Sequence, residues 1–324
     1  MITMTLAISE GILRAINQTI ANTAYEEELV LKVSKAFGNH VTIPAWKSDY
    51  SEWVYEPQLG GYLSFNGTEN APDVDPRISE KTAILMTLSG TLNLSTATIA
   101  QMEQNALGIQ DTLMTRVRAQ MGKMKQVQDT TLWCGQAGRY LDAADPLKRA
   151  TTDGNYLVRG LLFDSNIQTI AGGIGADDDM QAFGDFYATC VLADKTAKVQ
   201  GVDTSQCLAV MDTTTYQYML NSLSTNIWEW NQIEQGFPNW KFMANNNFLA
   251  NGLTSNSYMV FLFPRQTNGE PTFKTVSSVD ARARSLGGLS SKDMVPISVE
   301  EKSGVIIKNG YGIIKTGALT LTAE

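Results

Sequence analysis

The residues able to do chemistry are few and poorly grouped. His40 is the single histidine among 324 residues, so any mechanism needing an imidazole base rests on it. It follows Gly38-Asn39 at a helix-to-strand junction, and no G-x-S-x-G nucleophile elbow is present. It reads as a junction residue. Cys134, Cys190 and Cys207 are odd in number and far apart, whereas disulfide frameworks and zinc sites need paired spacings. They read as reduced, partly buried thiols, which suits an intracellular site of folding. Gly172-Gly173-Ile174-Gly175 lacks the third glycine of a dinucleotide fingerprint and the Lys-Ser/Thr of a phosphate loop, so it reads as a flexible loop. Asp177-Asp178-Asp179 offers oxygens to a hard cation but not in a calcium-loop order, and helix capping accounts for it better. Glu26-Glu27-Glu28 reads as a solvated helix face. The sequons at Asn17, Asn66 and Asn93 matter only in a secreted eukaryotic chain. No catalytic, cofactor or metal-binding constellation emerges, so the chain is not expected to be an enzyme or to carry a cofactor.

Composition narrows the classes further. Charged residues make up 18% of the chain, below the roughly 25% of ordinary soluble domains, and the net charge is -8. Only Arg282 and Arg284 approach a basic cluster. A dedicated nucleic-acid binder, which needs clustered Lys and Arg to release counterions, is therefore disfavoured. The longest apolar run, Tyr258 to Phe263, is far short of the roughly 20 residues of a membrane helix. No signal peptide is evident at the N-terminus.

Any function must then come from the elements themselves. Ser9 to Phe37 reads as two amphipathic helices. Ile12, Leu13, Ile16 and Ile20 stripe the first; a capping box at Thr23 to Glu26 opens the second, and Gly38 closes it. This pair is either an arm that packs on a neighbouring subunit or an ordinary N-terminal helical pair. Val41 to Trp46 and Glu52 to Tyr55 read as extended, and Ile78 to Leu94 as one long β-stretch. Between them lies a Gly- and Pro-rich tip. This predicts a long hairpin, which is marginal in water unless it rests on something else.

Apolar residues then recur every three or four positions from Ile99 to Val127. They predict a helix over 96–132 of about 36 residues, roughly 54 Å long. It stops at Gly135 and Gly138. Tyr156 to Phe163 contains short strand-like pieces. A helix is expected from Asp177 to about Lys198, a buried strand over Gln206 to Met211, a helix capped by Asp212, and a buried strand over Tyr258 to Phe263. The C-terminus reads as strands Val295–Glu301, Val305–Lys308 and Tyr311–Lys315. Tight turns are expected at Ser303-Gly304 and Asn309-Gly310.

That order resembles the major capsid proteins of tailed phages with the Hong Kong 97 fold. Lys81 to Ser95 is similar to the return strand of the family's extended loop running into a capped spine helix. Asp129 to Gly138 is similar to the end of that spine, and Gly160-Leu161-Leu162 to the segment after it. Cys207 to Tyr216 resembles an axial-domain strand leading into a capped helix, and Glu301 to Ile307 the late strand. The resemblance implies an α+β fold: a helical arm (1–40), an extended loop (41–94, tip about 56–78), a peripheral domain with the spine helix (95–176 and 265–302) and an axial α/β domain (177–264 and 303–324). It also implies self-assembly as hexamers and pentamers into an icosahedral virion shell, built in the host cytoplasm. The shell would enclose double-stranded DNA without binding it specifically. Expected inter-subunit contacts are Ile12, Ile16 and Phe37 of the arm and Trp53, Tyr55, Leu59, Tyr62 and Phe65 of the loop.

Partners beyond copies of the chain would be portal, decoration and scaffolding proteins. Met1 lies close to the arm, so a separate scaffold or none is expected. The loop tip has no Lys, so a shell without covalent crosslinks is expected. The abundance of Met (13), Trp (6), Tyr (11) and Phe (11) suits interface cores. The alternatives are an encapsulin-like nanocompartment shell, an α/β enzyme with an unrecognised site, and a secreted β-rich adhesin suggested by the Thr and Asn content.

Overall fold

The computed structural model describes residues 10–22, 28–56, 77–97, 100, 107–137, 156–158, 160–163, 167–170, 179–224, 227–247, 259–285 and 294–317. The chain opens with helices α1 (Glu10–Asn22) and α2 (Leu29–Ala36), and Gly38 follows at φ +69°. Strand β1 (His40–Thr42), the hairpin β2 (Asp49–Glu56) and β3 (Arg77–Ile84), and β4 (Met86–Ser95) come next. Helix α3 (Leu107–Cys134) spans 28 residues. Thr96, Ala97 and Ala100 are also helical, and the rest of the expected 96–106 segment lies outside the described residues.

The middle of the chain holds β5 (Gln136–Ala137), β6 (Tyr156–Val158), a 3-10 turn (Leu161–Phe163), β7 (Gln168–Ile170), α4 (Asp179–Val199) and β8 (Val202–Asp203). Strand β9 (Cys207–Met211), α5 (Thr213–Ser224), α6 (Ile227–Gly236), β10 (Trp240–Ala244) and β11 (Met259–Leu262) follow. The chain then runs through β12 (Arg265–Gln266), β13 (Phe273–Ser285), β14 (Met294–Ile307), a 3-10 turn (Gly310–Gly312) and β15 (Ile313–Thr316).

Two sheets organise these elements. One has the order β1-β13-β14-β4, the other β10-β9-β11-β15-β7. Strand β9 explains the continuous apolar run around it, because it is covered on both faces. Cys207, Ala209 and Met211 face Phe186, Cys190 and Ala193 of α4 and Met219 of α5. Leu208 and Val210 face the other way, towards Leu29 and Val30 of α2 and Leu132 and Trp133 of α3. Asp212 caps α5 as expected: its carboxylate accepts the Thr215 amide at 3.0 Å and the Thr215 hydroxyl. Over the four-stranded sheet, Ile16 and Ile20 of α1 pack with Met114, Val117 and Met121 of α3 and with Ile297 and Val299 of β14.

The end of α3 is set by backbone contact. Gly135 sits at φ +70°, and a Cβ on Gly160 would lie 2.1 Å from the Gly135 nitrogen. Only a glycine lets the segment before the 3-10 turn lie against the helix end.

Several expectations are corrected. The stretch 78–94 is two strands that part at Leu85. Leu85 and Met86 are both buried, so strict alternation fails there, and the Leu85 amide donates to the Ser48 carbonyl at 2.9 Å. The hairpin itself starts at Asp49, because His40–Thr42 pairs in parallel with Thr275–Ser277 in the four-stranded sheet. Ser303-Gly304 is no turn; β14 runs straight through it, with Gly304 opposite Val276. A Cβ at Gly304 would meet the Ile84 carbonyl oxygen at 2.9 Å, so this glycine serves a close approach of backbones. Asn309-Gly310 forms no hairpin either. The Asn309 side chain accepts the Tyr311 amide at 3.0 Å and caps a 3-10 turn, which carries the chain into the other sheet. The capping box at Thr23–Glu26 lies outside the described residues, and Glu28, read as solvated, pairs with Lys125.

Candidate functional site

Hairpin β2–β3 has two unlike faces. Trp53 stands opposite Glu80 and Asp49 opposite Ile84, and Ile78 lies two residues from Glu80 along β3, which places these five on one side. On that side Trp53 is 68% exposed, Ile78 61% and Ile84 47%; Trp46, in the preceding turn, is 79% exposed. The other side carries Val54 and Ala83, both buried. Large apolar groups thus gather on one exposed face of this two-stranded hairpin.

The base of the hairpin is locked by charge. Glu52, on the inner side, accepts hydrogen bonds from Lys274 of β13 (2.7 and 3.0 Å) and from Lys308 (3.0 Å). Lys308 also pairs with Glu270 at 3.3 Å. Burial pushes the Glu52 carboxyl up, but these lysines outweigh it and hold it below its ordinary value. Burial likewise pulls the Lys308 ammonium down, and Glu52 and Glu270 outweigh it upward. The Tyr50 hydroxyl is raised by burial and by Glu52. The apolar face is thereby aimed by ion pairs at its root.

A second polar region, missed in the sequence, sits on α3. Lys125 and Asp129 are one turn apart and both buried. Lys125 pairs with Glu28 ahead of α2 and with Glu301 of β14. Burial alone would lower its pKa, but the two carboxylates raise it. Asp129 accepts the Val30 amide at 2.7 Å, the Trp133 indole at 3.1 Å and the Asn247 amide group at 2.9 Å. The available signal was the polar band Gln128-Asp129-Thr130-Thr131 between two apolar stretches of one helix.

The expected contact residues are scattered by comparison. Trp53 is exposed on the hairpin. Ile16 is fully buried inside the chain, and Phe37 is half-buried, its carbonyl accepting from Arg265 at 2.7 Å. Ile12 lies in α1 and Tyr55 in β2. Leu59, Tyr62 and Phe65 lie outside the described residues. Within the chain, α1 packs through Ile16 and Ile20 on α3 and β14, and α2 through Leu29 and Val30 on α3 and β9. His40 bridges strands: its ring nitrogens lie 2.9 Å from the Thr275 hydroxyl and 3.1 Å from the Ser277 hydroxyl. All three cysteines are buried thiols outside any disulfide, and burial raises the thiol pKa of Cys190 and Cys207. Among the described residues no cluster of potential metal ligands occurs, and no helix is long and apolar enough to cross a membrane.

The whole architecture has solved counterparts. It is similar to a virus-like particle from Pyrococcus furiosus, with a TM-score of 0.54 and 11% identity over 95% of this chain and 98% of that one. It is similar to the capsid of Myoviridae phage XM1, with a TM-score of 0.55 and 14% identity over 89% and 92%. The chain has the Hong Kong 97-type capsid fold. A structure from Gordonia phage Cozz matches this Hong Kong 97-type chain at a TM-score of 0.53 and 13% identity, over 94% and 89%. No family model and no curated protein matches the sequence. At these identities the Hong Kong 97 likeness lives in topology: two sheets joined by one long helix, with a hairpin projecting from the root of β4.

Proposed function

We propose that the chain is a shell subunit, the major capsid protein of an icosahedral virion enclosing double-stranded DNA. The observation that carries this reading is the match in fold over nearly the full length of both chains to capsids and a virus-like particle. The exposed apolar face of β2–β3 adds to it, because a lone chain gains nothing by holding Trp53 in water. In this reading subunits assemble as hexamers and pentamers, and the hairpin face lies on a neighbouring copy. The five-stranded sheet with α4 to α6 forms the axial domain, and the four-stranded sheet with α3 the peripheral domain. Tyr55, Leu59, Tyr62 and Phe65 extend the contact begun by Trp53, while the arm adds contacts from Ile12 and Phe37. The net charge of -8 suits a wall that holds DNA without gripping it. Portal, scaffolding and decoration proteins are the expected companions, the host cytoplasm the place of assembly, and no catalysis is involved.

The match to a virus-like particle keeps one second reading, a nanocompartment shell that stores cargo proteins. Particles purified from cells after external nuclease treatment separate the two. Protected double-stranded DNA supports the capsid, and a protein cargo without DNA supports the nanocompartment. Failure to recover any particle contradicts both. The neighbouring genes give the same answer: portal and terminase genes on one side, a ferritin-like or peroxidase gene on the other.

A further inference from the structure

The two faces of the four-stranded sheet are covered by unlike elements. Ile297, Val299, Val305 and Ile307 alternate along β14 and so share one face. On that face lie α1, α2 and α3, packed through Ile16, Ile20, Val30, Val117 and Leu132. Val276 and Ile306 point the other way and meet Ala83 and Leu85 at the hairpin, and Lys274, two residues before Val276, reaches Glu52. Helices and hairpin therefore stand on opposite sides of the sheet, and the outer faces of the helices look away from the hairpin.

Those outer faces are basic. Ile16 and Ile20 turn α1 onto the sheet, which leaves Arg14 on its exposed side. Lys32 and Lys35 are exposed on α2, and Arg116, Arg118 and Lys123 on α3. Arg116 and Lys123 lie two turns apart, about 10 Å along the axis. None of the six cations has an ion-pair partner among the described residues. The described carboxylates of this layer, Glu28 and Asp129, turn inward to Lys125 and to the Val30 amide. On the exposed hairpin face the charges are instead Asp49 and Glu80. A chain of net charge -8 thus keeps one face of the opposite sign. The sequence conceals that face, because its cations come from three separate segments.

We propose that this helical face is a phosphate-binding surface, which meets the backbone of double-stranded DNA inside the shell. Its place in a shell rests on the capsid reading above. Cations without carboxylate neighbours attract a polyanion and release its counterions. The same face lacks what a protein partner would use. Protein interfaces centre on aromatic and apolar anchors, and none of the large apolar groups exposed among the described residues lies on α1, α2 or α3. Phosphate contacts of this kind hold the duplex and read no base sequence. The net charge of the chain keeps them weak and sensitive to salt.

Binding of the full-length chain to a fluorescein-labelled duplex of about 30 base pairs, titrated with salt, tests this. The wild type should bind at about 50 mM salt and release the duplex by roughly 200 mM, with log K linear in log salt. The variant Arg116→Gln/Arg118→Gln/Lys123→Gln should make that slope shallower by about one for each phosphate contact removed. All three positions are exposed, so the fold should be kept. The variant Lys195→Gln/Lys198→Gln/Lys241→Gln changes the net charge equally beside the five-stranded sheet and should keep the wild-type slope. A wild type that does not bind at about 50 mM salt refutes the proposal. Equal flattening in both variants also refutes it, because bulk charge then accounts for binding. If the α3 variant binds the duplex as the wild type does but no longer forms particles, the face is a seat for a neighbouring copy and the proposal falls. Particle formation is read on the same preparations. Shells whose chains do not bind the duplex overturn the phosphate surface alone. Duplex binding by a wild type that forms no particles under any condition overturns the capsid reading and leaves the phosphate surface standing.

Discussion

Asp212 and Glu52 show how single side chains hold this fold. Asp212 takes up the free amide of Thr215 at the start of α5. Asp212→Ala should lower stability by about 1 kcal/mol, seen as a lower urea midpoint with an unchanged slope. Glu52 titrates below its ordinary value because Lys274 and Lys308 prefer it charged, against the opposing push of burial. A carboxyl lowered in this way stabilises the folded chain above its ordinary pKa, and that contribution is lost as the pH falls through the lowered value. Melting temperatures at pH 7 and pH 3 should therefore differ less in Glu52→Gln than in the wild type. Asp212 was legible because a cap is local, three residues from its target. Glu52, Lys125 and Asp129 were not, since their partners lie tens to hundreds of positions away.

At the scale of elements, β14 departs most from the sequence reading. Ser303-Gly304 has the composition of a turn but lies mid-strand, where Gly304 lets the Ile84 carbonyl approach. Gly304→Ala should cost about 1–3 kcal/mol, because a methyl group there has to displace backbone rather than a flexible side chain. Thermal denaturation would show it, and an unchanged midpoint would remove the close-approach account. Asn309-Gly310 misled for a related reason: hairpin signals describe neighbours in sequence, while the strands on either side of this pair belong to different sheets. By contrast, β9, β11 and α4 were readable because their patterns are short and self-contained. Helix α3 was readable from a stripe that repeats over many turns. Its C-terminal polar band was the part whose meaning depended on α2, β14 and Asn247.

Among the described residues, the two larger sheets are bridged by α3, with α1 and α2 folded back on the core and hairpin β2–β3 packing one face inward and exposing the other. The order of elements carried the fold even though no family model matches the sequence. The contact residues were harder to read, because exposure is set by pairing and packing. Ile16 and Trp53 look alike as apolar residues, yet one is sealed inside and the other stands 68% exposed. Trp53→Arg should leave the melting temperature of the single chain nearly unchanged, since it removes no internal packing, and should abolish assembly. Assembled particles should also dissolve to single chains on a boiled denaturing gel, because the 57–76 segment offers no Lys for a crosslink. High-mass ladders there would contradict the uncrosslinked shell. The central claim is met most directly by negative-stain microscopy of the purified protein, expressed with and without its neighbouring genes. The account predicts closed shells, or hexameric and pentameric capsomers. A strictly monomeric species of 35.5 kDa under every condition would contradict it.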